Sequence, residues 1–141
     1  MAIFGRVFLL VFIVTSGLCN MSCSGPVTLN EATMCLALDT AMRPVNPTFS
    51  FDAKASEINA SVRIENAPRN TEVRAELFYV KGTANTVNKL VSASRATVEG
   101  TTYIGFTFTR GALGAWPVGE YRVDMYVESE KTLDLTFTII N

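Results

Sequence analysis

Apolar and polar residues alternate along much of this chain with a period of two. In the segment 58–64 every second residue is apolar, and Asn59, Ser61 and Arg63 lie between them. Successive side chains of a strand point to opposite faces, so this pattern predicts a strand with one buried and one solvent-exposed face. Asn59 and Ser61 are expected on the exposed face.

The same alternation recurs in four further segments, and two weaker strands are predicted at 33–38 and 89–97. The seven predicted strands cover residues 33–38, 58–64, 73–79, 89–97, 103–109, 120–127 and 133–139. The turn-forming stretch Asn66–Asn70 predicts that the second and third strands are sequential and antiparallel. Glu128–Lys131 predicts a hairpin between the last two. The segment 89–97 alternates poorly, which favours an edge position.

Short strands without any segment of helical periodicity predict an all-β fold, a sandwich of two antiparallel sheets. The segment 39–51 carries Pro44 and Pro47. Proline cannot donate a ladder hydrogen bond, so this segment is expected to cross between the sheets rather than to form a central strand. We assign residues 25–141 to this single domain.

Residues 1–24 are predicted to be a signal peptide. Arg6 is the only charged residue before Glu31, and it precedes the apolar run Val7–Val14. The apolar stretch ends at Leu18, which is short of the roughly 20 residues that a membrane-spanning helix needs. We therefore expect an exported protein, located in the periplasm, on the outer membrane or outside the cell; the alternatives are a short buried helix and an uncleaved anchor.

Three cysteines bear on how the chain is processed. Cys23 and Cys19 stand where a bacterial lipoprotein signal carries its lipid-modified cysteine, and the small Ser22 favours Cys23. Lipidation would tether the protein to a membrane, whereas ordinary cleavage would release it. Cys35 is expected to be a small buried apolar residue, and a disulfide with Cys23 requires that processing spare Cys23.

Composition excludes several classes of function. The chain of 141 residues contains no histidine, which removes the commonest general base and every nucleophile arrangement that depends on one. A formal net charge of -1 provides no basic surface for nucleic acid. No phosphate-binding, dinucleotide or calcium-binding motif is present, and three cysteines without histidine do not make a zinc site. We expect no cofactor and no metal.

The stretch Gly119–Val123 resembles the tyrosine corner of immunoglobulin-type sandwiches, with Gly119 and Tyr121 as its structural residues. Together with Ala37–Phe51, Val62–Pro68 and Leu135–Ile140, it resembles small immunoglobulin-like domains of bacterial secreted proteins and envelope lipoproteins, mostly without assigned function. The resemblance implies an immunoglobulin-like sandwich and an envelope location. It departs from the pattern at Leu77, where such domains often carry a large aromatic residue.

Three aromatic residues are candidates for a binding surface. Trp116, the only tryptophan, lies in a glycine-flanked loop where it would either stack on a sugar or close the end of the sandwich. Phe78 and Tyr126 fall on the outward positions of strands expected to be neighbours, which would make an aromatic patch or a purely stabilising pair. Glutamates and arginines interleaved over 63–76 predict solvated charge pairs rather than a catalytic pair of carboxylates.

These observations predict a non-catalytic exported module that acts through protein–protein contacts, with an unidentified envelope or extracellular protein as its partner. One alternative is a glycan-binding module that uses Trp116 and nearby aromatic residues. The other is a subunit of an extracellular filament or complex whose edge near 89–97 accepts a strand from a neighbour.

Overall fold

The computed structural model describes residues 25–141; the predicted signal peptide, Cys19 and Cys23 lie outside the described residues. The strands are β1 (Thr28–Leu38), β2 (Pro44–Pro47), β3 (Ser50–Asp52), β4 (Glu57–Gly82), β5 (Lys89–Thr109), β6 (Gly119–Val127) and β7 (Glu130–Ile140). Within 25–141 there is no helix long and apolar enough to cross a membrane.

Two long strands, β4 and β5, form a bent antiparallel ribbon that belongs to both layers of the sandwich. In the first layer, β1 pairs with the first half of β4 and β2 pairs with β1. In the second layer, β6 pairs with the second half of β4, and β7 and β3 follow in that order. The protein is therefore an all-β sandwich, as the alternation predicts.

The predicted antiparallel pairing of segments 58–64 and 73–79 is wrong, because both segments belong to β4 and neither pairs with the other. Asn66 and Asn70 have φ values of 59° and 63°, and the register with β5 shifts between Ile64 and Thr71. These left-handed residues bend the strand and do not reverse it. Segments 89–97 and 103–109 are likewise the two halves of β5, which bends around Gly100.

The segment 39–51 does cross between the layers, and it contributes the two short strands that the alternation did not predict. β2, with Pro44 and Pro47 at its ends, pairs with β1 in the first layer, whereas β3 pairs parallel with β7 in the second. The predicted hairpin between the last two strands is confirmed: only Glu128 and Ser129 separate β6 from β7, and Glu128 has a φ of 53°.

The core lies between the layers and consists of the inward members of each alternating strand. It contains Ile58, Ala60, Val62 and Ile64 from the first half of β4, Val73, Ala75, Leu77 and Tyr79 from the second half, and further residues of β5, β6 and β7. Each of these eight residues is buried. The period-two pattern alone identified them, since a half-buried strand places alternate residues on one face.

Asn59 and Ser61 are not solvent-exposed, contrary to the prediction. Both are buried because the chain around 36–42 covers the outer face of the first layer. Ser61 donates a hydrogen bond to the carbonyl oxygen of Met42 at 2.7 Å, and the Asn59 amide donates to that of Leu36 at 3.1 Å. The polar side chains here satisfy the backbone of the covering segment, which a local pattern could not reveal.

Candidate functional site

The end of the sandwich where β4 finishes and β6 begins is closed by an aromatic cluster around Tyr121. Its ring stacks on Phe137 at 5.4 Å and meets Tyr79 edge-on at 5.2 Å. Its hydroxyl donates to the carbonyl oxygen of Pro117 at 2.7 Å, four residues earlier in the chain. This bond back to the preceding connection is the one that a tyrosine corner makes.

Burial raises the pKa of the Tyr121 phenol above its ordinary value near 10, with a further contribution from Tyr79. The unfolded chain keeps the ordinary value, so the stabilisation from the neutral hydroxyl is complete below about pH 10 and is lost as the pH rises above it. We expect Tyr121→Phe to lower the free energy of unfolding by about 1 kcal/mol at about pH 8. The difference from the unsubstituted protein should shrink toward about pH 11.

Urea unfolding at the two pH values measures this effect. Tyr126→Phe is the matched control, because the Tyr126 hydroxyl makes no hydrogen bond to any residue of 25–141 and should leave stability nearly unchanged at the lower pH. An equal loss for both variants at the lower pH, or a Tyr121→Phe deficit that grows with pH, would contradict the proposed role of the corner.

Trp116 is a core residue, which agrees with the second of the two roles expected for it, closing the end of the sandwich. Its side chain is 2% exposed. The indole Nε1 donates to the carbonyl oxygen of Ala55 at 2.9 Å, and the Trp116 backbone N–H donates to that of Ala53 at 2.8 Å. A sugar cannot stack on this ring without opening the core, so the glycan-binding alternative loses the residue on which it depended.

Phe78 and Tyr126 do not form a continuous aromatic patch, although β4 and β6 lie side by side as predicted. Phe78 faces Arg122 across the strands, and Arg74 faces Tyr126. The guanidinium of Arg74 lies 4.4 Å from the Tyr126 ring centroid, and that of Arg122 lies 5.0 Å from the Phe78 centroid. Each ring is therefore capped by a cation, which stabilises the outer face of the second layer.

Acidic and basic side chains that lie near these two arginine–aromatic contacts form ion pairs with one another. Across the outer face of the second layer, Glu76, Asp124 and Asp134 occupy facing positions on β4, β6 and β7. Arg122 lies 2.7 Å from the Asp124 carboxylate, and Lys131 reaches both Asp124 at 3.3 Å and Asp134 at 3.1 Å. Arg122 and Lys131 both contact the Asp124 carboxylate, and this pairing explains how the charged group is buried.

In this row of carboxylates, Asp124 and Asp134 are paired with Arg122 and Lys131. No group of three or more potential metal ligands occurs within residues 25–141. The glutamates and arginines of 63–76 form ion pairs: Arg74 lies 3.1 Å from Glu76, Glu72 pairs with Arg95 of β5 at 3.7 Å, and Arg63 contacts Glu65. The Glu72–Arg95 pair is solvated, and an exposed pair of this kind contributes about 0–1 kcal/mol, whereas the side chains of Arg74 and Glu76 are mostly buried.

Cys35 lies buried in β1 and forms no disulfide within residues 25–141. Burial raises the pKa of this thiol above its ordinary value. A buried cysteine whose pKa is raised is mostly protonated near neutral pH, which makes it a poor nucleophile. Its place in the first layer matches the expectation of a small apolar side chain, and the lipidation candidates Cys23 and Cys19 lie outside the described residues.

The second layer ends in an open edge at the first half of β5. Along residues 89–98, β5 pairs with β4 on one side only, and no other strand of 25–141 pairs with it. The predicted edge position of this segment is confirmed. Leu90 is 50% exposed and Val91 is 38% exposed, and the segment contains no proline. This edge therefore offers free backbone hydrogen-bonding groups next to exposed aliphatic side chains.

A cavity of about 250 Å³ lies where this edge meets the closed end of the sandwich. Its apolar lining comes from the start of β5, the β5–β6 connection and the core, and includes Tyr79, Leu90, Val91, Leu113, Trp116 and Tyr121. Lys89 is the one charged residue in the lining. The apolar pair Leu90–Val91 in a poorly alternating strand was the sequence signal for this site.

Solved structures of other proteins share this fold. An immunoglobulin-like protein from Pseudomonas aeruginosa is 10% identical with a TM-score of 0.59, covering 84% of this chain and 99% of that chain. An alkylpurine DNA glycosylase from Pseudomonas fluorescens is 17% identical with a TM-score of 0.52, covering 82% of this chain and 30% of its own. A β-glucosidase from Listeria innocua is 13% identical with a TM-score of 0.53, covering 82% and 16%.

These likenesses identify the chain as an immunoglobulin-like β-sandwich and show the fold alone, since every identity is low. The chain spans 30% of the glycosylase and 16% of the glucosidase. No protein-family model matches the chain, and no curated protein matches it.

Proposed function

We propose that this chain is an exported, non-catalytic binding module, and that residues 89–98 of β5 form its contact with another protein. We call this segment the β5 edge. Export is supported by the predicted signal peptide, and the absence of histidine removes the residue on which most side-chain acid–base chemistry depends. An immunoglobulin-like sandwich without such chemistry acts through the surface that it presents.

The β5 edge is the observation that carries this proposal. Natural proteins blunt the edges of their sheets with prolines, charges or very short strands, because an open edge recruits other strands. Two edges of this protein follow that rule: β2 carries Pro44 and Pro47, and β3 is only three residues long. The β5 edge carries Lys89 and Arg95, but the five residues between them, Leu90 to Ser94, contain neither proline nor charge. The second half of β5, residues 101–109, is also paired with β4 on one side only; the β5 edge differs from it because its first residues line the cavity. Leaving the β5 edge open is consistent with use as a docking site.

The position of the β5 edge suits a protein that is attached through its N-terminal side. The first described residues lie beside the bend of β4, where the Asn66 amide donates to the carbonyl oxygen of Pro26 at 3.2 Å. The end of the sandwich that holds the cavity lies about 25 Å from this bend, along the second half of β4. If the chain is lipid-anchored at Cys23 or Cys19, the exposed aliphatic residues of the edge face away from the membrane.

Site-specific photo-crosslinking in cells that express the full chain tests this proposal. A photoreactive phenylalanine analogue at Leu90 is expected to yield a discrete protein adduct in the envelope or outside the cell. The same analogue at Leu36, which is 53% exposed on β1 of the first layer, is the matched control and should yield none. Adding Val91→Lys should abolish the adduct, because a lysine on an edge strand blocks strand addition.

Adducts of equal intensity at both positions, or an adduct that persists with Val91→Lys, would show that the β5 edge is not the contact. An adduct found only in the cytoplasm would contradict export.

The same edge supports a second candidate, a subunit of a filament or complex in which the neighbouring strand comes from another copy of this chain. Here the Leu90 adduct would have twice the mass of the monomer. Electron microscopy of the purified protein would then show fibres, and Val91→Lys should disperse them. Monomers with no crosslink to a second copy would overturn this candidate.

A further inference from the structure

We infer that the cavity at the end of the β5 edge receives one aliphatic side chain of the docked strand, and that Lys89 binds a carboxylate carried beside it. The inference rests on the proposed function and adds the chemistry of the partner: an extended segment of another protein with an aliphatic residue next to an acidic one.

The cavity and the edge are parts of one surface. The consecutive residues Lys89, Leu90 and Val91 open the β5 edge and also line the cavity. A strand that adds to this edge must therefore pass the mouth of the cavity. Alternate side chains of an added strand point to one face, so its side chains on the core side are directed at the space between the layers.

The volume of the cavity limits what it can hold. At about 250 Å³ it is smaller than the roughly 300–1,000 Å³ of sites that bind small molecules and cofactors. It is larger than the roughly 150 Å³ apolar cavity known to accommodate a benzene molecule. The space is therefore large enough for one apolar side chain. The apolar lining, which includes Leu113 and the buried Trp116, favours an aliphatic side chain over a polar one.

Lys89, at the mouth of the cavity, favours an acidic residue beside the side chain that enters the cavity. Lys89 is exposed, and no carboxylate of residues 25–141 lies within ion-pair distance of its ammonium group. The other cation of the edge, Arg95, already pairs with Glu72 at 3.7 Å. A docked strand with a carboxylate beside its aliphatic residue would complete the pair at Lys89 and fix the register of the strand.

Selection of binders from a phage-displayed library of random dodecapeptides tests the inference. We expect the selected peptides to be rich in β-branched residues and to share an aliphatic residue and an aspartate or glutamate at constant spacing. Thr86→Phe, which places a ring at the cavity mouth from an exposed lining residue, should weaken binding of a selected peptide about tenfold. Thr136→Phe, on the exposed side of β7, is the matched control and should not change it.

Lys89→Glu provides the second arm. Repeating the selection on this variant should replace the shared acidic residue by lysine or arginine, a change that a damaged fold would not produce. Circular dichroism and size-exclusion chromatography establish that each variant is folded.

The outcomes separate this inference from the proposed function. Peptides that bind, lose binding with Val91→Lys, and yet ignore Thr86→Phe and Lys89→Glu would overturn the inference and leave docking at the β5 edge intact. A selection that yields no common sequence would also overturn the inference. The crosslinking experiment at Leu90 tests the proposed function independently of the peptide selection.

Discussion

Trp116→Ala is expected to lower the free energy of unfolding by about 3–5 kcal/mol, the usual cost of deleting a large buried aromatic side chain. The substitution removes the packing against Tyr121, whose ring centroid is 6.5 Å away, and the hydrogen bond from the indole to Ala55. It also enlarges the neighbouring cavity, which nothing nearby can fill. Since domains are stable by only about 5–15 kcal/mol, this variant should be close to unfolding at physiological temperature.

Urea unfolding followed by far-ultraviolet circular dichroism measures this loss. Leu113→Ala is the matched control, because Leu113 lies in the same connection but is 51% exposed, and its removal should change stability by no more than about 0.5 kcal/mol. Trp116 is the only tryptophan, so tryptophan fluorescence, excited where tyrosine does not absorb, reports on this position alone. Emission typical of a water-exposed indole in the native protein, or a loss below about 1 kcal/mol for Trp116→Ala, would contradict its burial.

Gly119→Ala is expected to destabilise the protein by about 1–3 kcal/mol, the range for forcing extra atoms into a packed site. Gly119 faces Gly82 where β6 meets the end of β4, and the two backbones are in close contact. A methyl group on Gly119 would overlap the carbonyl oxygen of Lys81 and lie 2.9 Å from the Cα of Gly82. Both neighbours are backbone atoms, so the strands themselves must separate.

Gly114→Ala is the control for this prediction. Gly114 lies in the β5–β6 connection, five residues before Gly119, and a methyl group there would meet no atom within 4 Å. Thermal unfolding of the two variants should show a clear drop in Tm for Gly119→Ala and almost none for Gly114→Ala. Equal effects would mean that the close contact with Gly82 does not require glycine at position 119.

Part of this site was predictable from local sequence and part was not. Tyr121 and Gly119 were predictable because a tyrosine corner depends on residues a few positions apart, as the bond to Pro117 shows. The burial of Trp116 was left open, since it depends on carbonyl groups of Ala53 and Ala55 that lie about sixty residues away in the chain. The arginine caps on Phe78 and Tyr126 depend on the register between β4 and β6.

The bends of β4 and β5 show where the local pattern fails. Asn66–Asn70 has the composition of a turn, and turns and bends both use residues with positive φ. Whether the chain reverses or only bends depends on its partner strand, and here β5 follows β4 through the bend and pairs with both halves. The two strands predicted on either side of Asn66–Asn70 are therefore one continuous strand, β4. The two predicted on either side of Gly100 are likewise one strand, β5.

The sequence by itself determined which apolar residues of the alternating strands enter the core and that the chain forms a sandwich of strands, because alternation with a period of two is local and the hydrophobic effect acts on each face separately. Only the tertiary structure decided which edge remains open, that Trp116 closes the end of the sandwich, and that Lys89, Leu90 and Val91 line a cavity. These features depend on which distant segments meet, and the free energy that selects those meetings is shared among many contacts that no short stretch of sequence contains.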